Sequence, residues 1–119
     1  MKRLTKAEEE VMQHLWELGE ANVATIIERM PKPKPAYNTV STIVRILESK
    51  GFVNYKKEGR GHTYFPKIEK SSYSSASMDK MVNDYFNGSF KTMVSFFVKK
   101  KDMSVGELED ILKEINKKQ

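Results

Sequence analysis

The sequence predicts a mainly α-helical fold with one small β-hairpin. Three observations predict it. Apolar residues recur at helical spacing in six separate stretches. Two β-prone runs around a glycine-containing turn fall between the third stretch and the fourth. Helix breakers at Gly19, Pro31, Gly51 and Asn87-Gly88 divide the stretches from one another.

Thr5-Lys6-Ala7-Glu8 fits a capping box, and Ala7, Val11, Met12, Leu15, Trp16 and Leu18 follow at helical spacing until Gly19. Asn22 caps a short second helix whose apolar face is Val23, Ile26, Ile27 and Met30. Pro31 bars its continuation, and the linker PKPKP is expected to be extended and stiff. The third helix runs from about Tyr37 to Lys50, with no strong cap at its start. Val40, Ile43, Val44 and Leu47 share one sector; Asn38, Ser41, Thr42, Arg45 and Ser49 share the opposite one, with Ile46 on the boundary. Phe52 to Lys56 and His62 to Phe65 are β-prone around the turn Lys57-Glu58-Gly59-Arg60-Gly61.

Glu69 to Ser77 is serine-rich and lacks Leu, Ile and Val, so it reads as a boundary or an ill-defined helix start. Met78, Met81, Val82, Tyr85 and Phe86 then form a helical stripe that stops at Asn87-Gly88. Ser89 caps a helix carrying Phe90, Met93, Val94, Phe96, Phe97 and Val98, and Lys99-Lys100-Lys101 suits its C-terminal end. Ser104-Val105-Gly106-Glu107 fits a second capping box, opening a last helix with Leu108, Ile111, Leu112 and Ile115 on one side. There is no internal repeat.

Three short helices followed by a hairpin describe a winged helix-turn-helix, in which the third helix enters the major groove of DNA. The expected architecture is therefore a winged helix over residues 1–70 and a three-helix dimerisation region over residues 71–119. The polar face of the third helix supports this. Ordinary exposed faces are built from strong helix formers such as Glu and Lys. This face keeps Asn, Ser and Thr, which are weak ones. Asn38 suits adenine, Thr42 a thymine methyl or a hydroxyl contact, Arg45 guanine or a phosphate. Lys56, Lys57 and Arg60 at the hairpin tip are placed for the DNA backbone.

Composition agrees. Residues 29–70 carry ten basic and three acidic side chains, a net +7 within a chain whose total is +5. Such a segment suits phosphate. No apolar run is long enough to span a bilayer, and MKRLTKAEEE lacks the apolar core of a secretory signal. The absence of cysteine excludes disulfides, thiolate metal sites and cysteine catalysis, and fits a cytoplasmic protein. His14 and His62 have no ligand-like companions, and His62 beside the turn reads as a polar or phosphate contact. No nucleophile–base pattern is legible, so no enzymatic activity, cofactor or metal is expected.

A segment as short as residues 71–119 seldom closes its own core. Its apolar stripes, Met78, Met81, Val82, Tyr85, Phe86, Phe90, Met93, Val94, Phe97, Leu108, Ile111, Leu112 and Ile115, are expected to meet a second copy. A two-fold dimer would present two reading helices to a palindromic site. The rival is packing against the first unit as a monomer. A rival of another class is a winged-helix adaptor that binds protein and not DNA.

The stretches LTKAEEEVMQHLWELGEANVATIIERM, AYNTVSTIVRILESKGFVNYKKEGRGHTYFP and NGSFKTMVSFFVKKKDMSVGELEDILKEI resemble, in order and over nearly the whole chain, the BlaI/MecI family of bacterial transcriptional repressors. The resemblance implies a cytosolic homodimer that silences β-lactam resistance genes and is released when a membrane sensor-peptidase cleaves it. It also implies DNA contacts at Asn38, Thr39, Ser41 and Thr42. In the best-known members an arginine stands at the place of Ser41 and a proline at that of Tyr37, which makes Ser41 the position where this chain's specificity is expected to depart from theirs. The family's cleaved bond typically joins Asn to Phe; the matching pair here is Phe96-Phe97. Copper-responsive relatives use a C-terminal cysteine hook that this chain lacks.

Overall fold

The computed structural model describes the backbone at residues 1–100 and 103–117, with side chains described up to residue 114. The elements are α1 (Lys6–Leu18), α2 (Val23–Arg29), α3 (Tyr37–Ser49), β1 (Val53–Glu58), β2 (Gly61–Pro66), α4 (Lys70–Tyr85), α5 (Phe90–Lys100) and α6 (Val105–Lys117). The chain forms two compact units, Met1–Ser74 and Ser75–Gln119.

In the first unit α1 and α2 are bounded by local chemistry. The Thr5 hydroxyl accepts from Glu8 N–H at 3.2 Å while Glu8 Oε1 accepts from Thr5 N–H at 3.0 Å, the full capping box. Asn22 Oδ1 accepts from Thr25 N–H at 2.8 Å to start α2. Gly19, at φ 81°, closes α1 with its N–H on the Leu15 carbonyl. The core joins Val11, Met12 and Leu15 of α1, Val23 and Ile26 of α2, Val40, Val44 and Leu47 of α3, and Phe52, Val53 and Tyr64 of the hairpin.

One expectation for α1 is corrected. Ala7 is exposed, and Glu8 takes a buried place beside the apolar stripe. A carboxylate tolerates burial only when paired, and Lys50 Nζ, just past α3, reaches Glu8 Oε1 at 2.6 Å. The same ammonium donates to the Arg3 carbonyl at 3.1 Å, so it ties the start of α1 to the end of α3.

The hairpin is tighter than its sequence predicts. β1 and β2 pair antiparallel up to Glu58 opposite Gly61, leaving Gly59-Arg60 as a two-residue turn with Gly59 at φ 61°. Glycine at the first central position is what a type II′ turn requires. A bridge between Ala21 and Tyr64, with N–H···O bonds of 2.9 and 2.8 Å in each direction, fastens the α1–α2 turn to the wing.

The first unit extends four residues beyond the expected boundary at residue 70, because the start of α4 is pinned to it. The Tyr73 ring lies 5.7 Å from Phe52 and 5.8 Å from Trp16, and its hydroxyl donates to Glu9 Oε2 at 2.8 Å. Trp16 Nε1 donates to the Ile68 carbonyl at 2.9 Å. These contacts explain why the serine-rich run is helical despite its weak formers.

In the second unit, Ser89 and Ser104 hydroxyls cap α5 and α6, accepting from Thr92 N–H at 3.1 Å and Glu107 N–H at 3.0 Å. Phe86, Phe96 and Phe97 form an aromatic cluster with centroids 5.6 and 5.8 Å apart. Among the described residues of this unit only Val82 and Met93 are buried. Those two side chains are therefore already covered within the single chain. Met78, Met81, Tyr85, Phe90, Ile111 and Leu112 are exposed, as are Phe96 and Val105; Phe86, Val94, Phe97 and Leu108 are half-buried. The Ile115 side chain lies outside the described residues.

Candidate nucleic-acid interface

The site is built on α3. Its inner side is fixed by Val40, Val44 and Leu47, all fully buried. That leaves Asn38, Thr39, Thr42, Arg45, Ile46 and Ser49 exposed. Ala36 stands at the N-cap without a side-chain hydrogen bond, as the sequence predicts. The linker before it is held by Lys34, whose Nζ donates to the carbonyls of Ile27, Glu28 and Met30 at 3.1, 2.8 and 2.5 Å. A cation on the carbonyl end of α2 answers the helix dipole there. It also fixes the turn from which α3 departs.

Most of the expected contact residues share this open face, with two refinements. Ser41 is half-buried and turned to the margin, where it lines a groove of about 500 Å³ between α3 and the wing. Thr42 donates its hydroxyl proton to the Asn38 carbonyl at 2.8 Å, so the methyl and an oxygen lone pair remain for a ligand. Tyr37, Arg45 and Glu48 join Ser41 along the α3 side of the groove, opposite Tyr55, Arg60, His62 and Tyr64. His62 stacks on Tyr55 with centroids 4.1 Å apart, so its ring is first a packing partner within the wing. Burial, and then the nearby Glu48 carboxylate, raises the pKa of the Tyr64 hydroxyl, which stays neutral.

The cations of the wing are not equivalent. Among the described residues, no carboxylate pairs with Arg45, Lys57 or Arg60. Lys56 differs from these three: its Nζ lies 2.8 Å from Glu20 Oε2 and 3.2 Å from Glu58 Oε1. Hydrogen bonding to Glu20 and then to Glu58 raises its pKa. Its charge is therefore already answered within the chain. Residues the sequence did not single out also border the site. Tyr37 is 59% exposed at the start of α3, and Ile46 is 38% exposed midway along it.

Among the described residues no cluster of His, Asp and Glu is arranged to hold a metal, and no helix is long and apolar enough to cross a membrane.

The penicillinase repressor family profile matches residues 4–117. The chain belongs to the penicillinase repressor family. Members of this family are transcriptional repressors and not enzymes. Among its relatives, the methicillin resistance regulatory protein MecI of Staphylococcus aureus is 31% identical over 116 residues, 97% of this chain and 94% of that one. The penicillinase repressor of Bacillus licheniformis is 31% identical over 116 residues, 94% of this chain and 91% of that one. The solution structure of the DNA-binding domain of the repressor BlaI is similar to 61% of this chain and 94% of its own, with a TM-score of 0.53 and 34% identity. The Bacillus licheniformis BlaI monomer in complex with the blaP half-operator is similar to 60% of this chain and 89% of its own, with a TM-score of 0.51 and 33% identity. The penicillinase repressor family thus shares the winged helix of the first unit.

Proposed function

We propose that this protein is a sequence-specific DNA-binding repressor that acts in the cytoplasm as a homodimer on a palindromic operator. The observation that carries the reading is the open face of α3, where Asn38, Thr39, Thr42, Arg45 and Ser49 are exposed on a helix otherwise locked into the core. A relative with the same fold is described bound to a half-operator, which supports the same use here. In this reading α3 enters the major groove, Asn38, Thr39, Thr42, Arg45 and Ser49 meet base edges or nearby phosphates, and Ser41 reads from the margin. Lys57 and Arg60 hold the backbone, and Lys56 contributes least. The exposed stripes of the second unit, Met78, Met81, Tyr85, Phe90, Ile111 and Leu112, meet the second copy.

Release follows the family's route through a membrane sensor-peptidase acting at Phe96-Phe97. That bond lies within α5, with Phe97 half-buried, so the helix opens locally before it is cut.

Gel-shift titrations of Thr42→Ala and Arg45→Ala against specific and random duplexes test the base-reading claim. Each variant is expected to lose about 5- to 100-fold on the specific duplex, the worth of one good base contact, and far less on the random one. Equal losses on both duplexes sink that claim. Absence of any DNA retention at low salt would favour the adaptor reading instead.

A further inference from the structure

One exposed side chain on the open face of α3 has no polar group to offer. Among the described residues of Met1–Ser74, the large apolar side chains left exposed are Met1, Tyr37 and Ile46. Two of these three lie on α3. Tyr37 borders the groove beside the wing and carries a hydroxyl. Ile46 carries none. It follows Thr39 and Thr42 at helical spacing, so the three stand in one row along the exposed face. All three are β-branched, a choice that weakens an exposed helix. A single exposed isoleucine is ordinary on a protein surface. This one continues a methyl-bearing row on the face with no partner in its own unit. Thr42 belongs to that row as a methyl donor of surface, because its hydroxyl proton is committed to the Asn38 carbonyl.

In the major groove thymine alone presents a C5 methyl, and apolar contact is how it is read. We propose that Ile46, with the Thr42 methyl beside it, reads the C5 methyl of a thymine in the operator. The inference rests on the reading that α3 enters the major groove. It makes Ile46 a specificity-determining residue. Cytosine in the same place carries only hydrogen at C5 and would forfeit that methyl contact.

The test uses the full chain and the duplex it enriches from random DNA. Each thymine is replaced in turn by uracil, which removes one methyl and keeps the pairing edge. At one position the affinity of the wild-type protein is expected to fall about fourfold, the effect of withdrawing one methyl from contact. Ile46→Ala is expected to lose most of the thymine–uracil difference at that position and to discriminate as before elsewhere. Its helix is expected to persist, since alanine is the better helix former, and circular dichroism checks this. The inference is overturned if the wild-type protein binds every uracil duplex as tightly as the parent. It is equally overturned if Ile46→Ala keeps full discrimination at every position. A protein that enriches no sequence overturns the DNA reading itself, a result distinct from both.

Discussion

The two units treat their apolar residues in opposite ways. Met1–Ser74 closes around Val11, Met12, Leu15, Ile26, Val40, Val44, Leu47 and Phe52, all fully buried. Its exposed helix face is mostly polar, with Ile46 the apolar exception, and under the proposed function that face meets DNA. In the second unit Val82 and Met93 alone are buried among the described residues, while Met78, Met81, Tyr85, Phe90, Ile111 and Leu112 stay exposed. Apolar surface left open at this density is what an obligate association covers. Under the proposed function, the difference corresponds to reading by one unit and assembly by the other.

The sharpest way to break that division is to remove residues 75–119. The remaining chain is expected to sediment as a monomer, to melt cooperatively, and to lose at least about 100-fold in operator affinity as bivalent binding disappears. A shortened chain that still dimerises would put the interface in the first unit. Next in size is Phe52→Ala, which is expected to destabilise the first unit by about 3–5 kcal/mol in denaturant titration. The paired control is Leu112→Ala in the second unit. Its side chain is exposed in the single chain, so its effect is expected in the dimer dissociation constant, by up to about tenfold, since most single interface truncations cost little more than about 1 kcal/mol. A large loss that is independent of protein concentration would contradict the assignment.

Glu8→Ala removes an arm of the capping box and the Lys50 pair together, and is expected to cost about 2–3 kcal/mol. Burial by itself would push the Glu8 carboxyl up, but the hydrogen bonds from Lys50 and Thr5 and the Lys50 charge outweigh it and hold its pKa below the ordinary glutamate value. A lowered folded-state pKa stabilises above the unfolded value, and that stability is lost as pH falls through the folded one. The wild-type protein is therefore expected to lose stability below about pH 4.3, the ordinary glutamate pKa, by a component missing from Glu8→Ala. Denaturant midpoints across acid pH measure it. The smallest effect separates the wing cations. Arg60→Ala is expected to reduce the salt slope of DNA binding by about one, whereas Lys56→Ala, already paired with Glu20 and Glu58, is expected to leave the slope nearly unchanged. Equal slopes for the two variants would contradict that distinction.

What was legible in the sequence was local. The Thr5 box, the Asn22, Ser89 and Ser104 caps, the Gly19 stop and the polar face of α3 each depend on residues within a few positions of one another. What escaped depends on distant partners. Glu8 is buried because of Lys50, 42 positions away. Lys56 pairs with Glu20 of the α1–α2 turn, and the Ala21–Tyr64 bridge has no strand pattern on its first side. The serine-rich start of α4 is helical because Tyr73 is anchored on Phe52, Trp16 and Glu9. On α3, spacing placed Asn38, Thr42, Arg45 and Ser49 on the exposed face, where the structure has them. It left Ile46 on a boundary, where burial of Val40, Val44 and Leu47 turns it outward.

The most direct test of the account is selection of bound duplexes from random DNA by the full chain, followed by sequencing. A dimeric repressor is expected to enrich an inverted repeat whose half-sites are spaced by whole turns of the double helix. Enrichment of a single unpaired half-site would contradict the dimer, and enrichment of no sequence would contradict the reading role of α3.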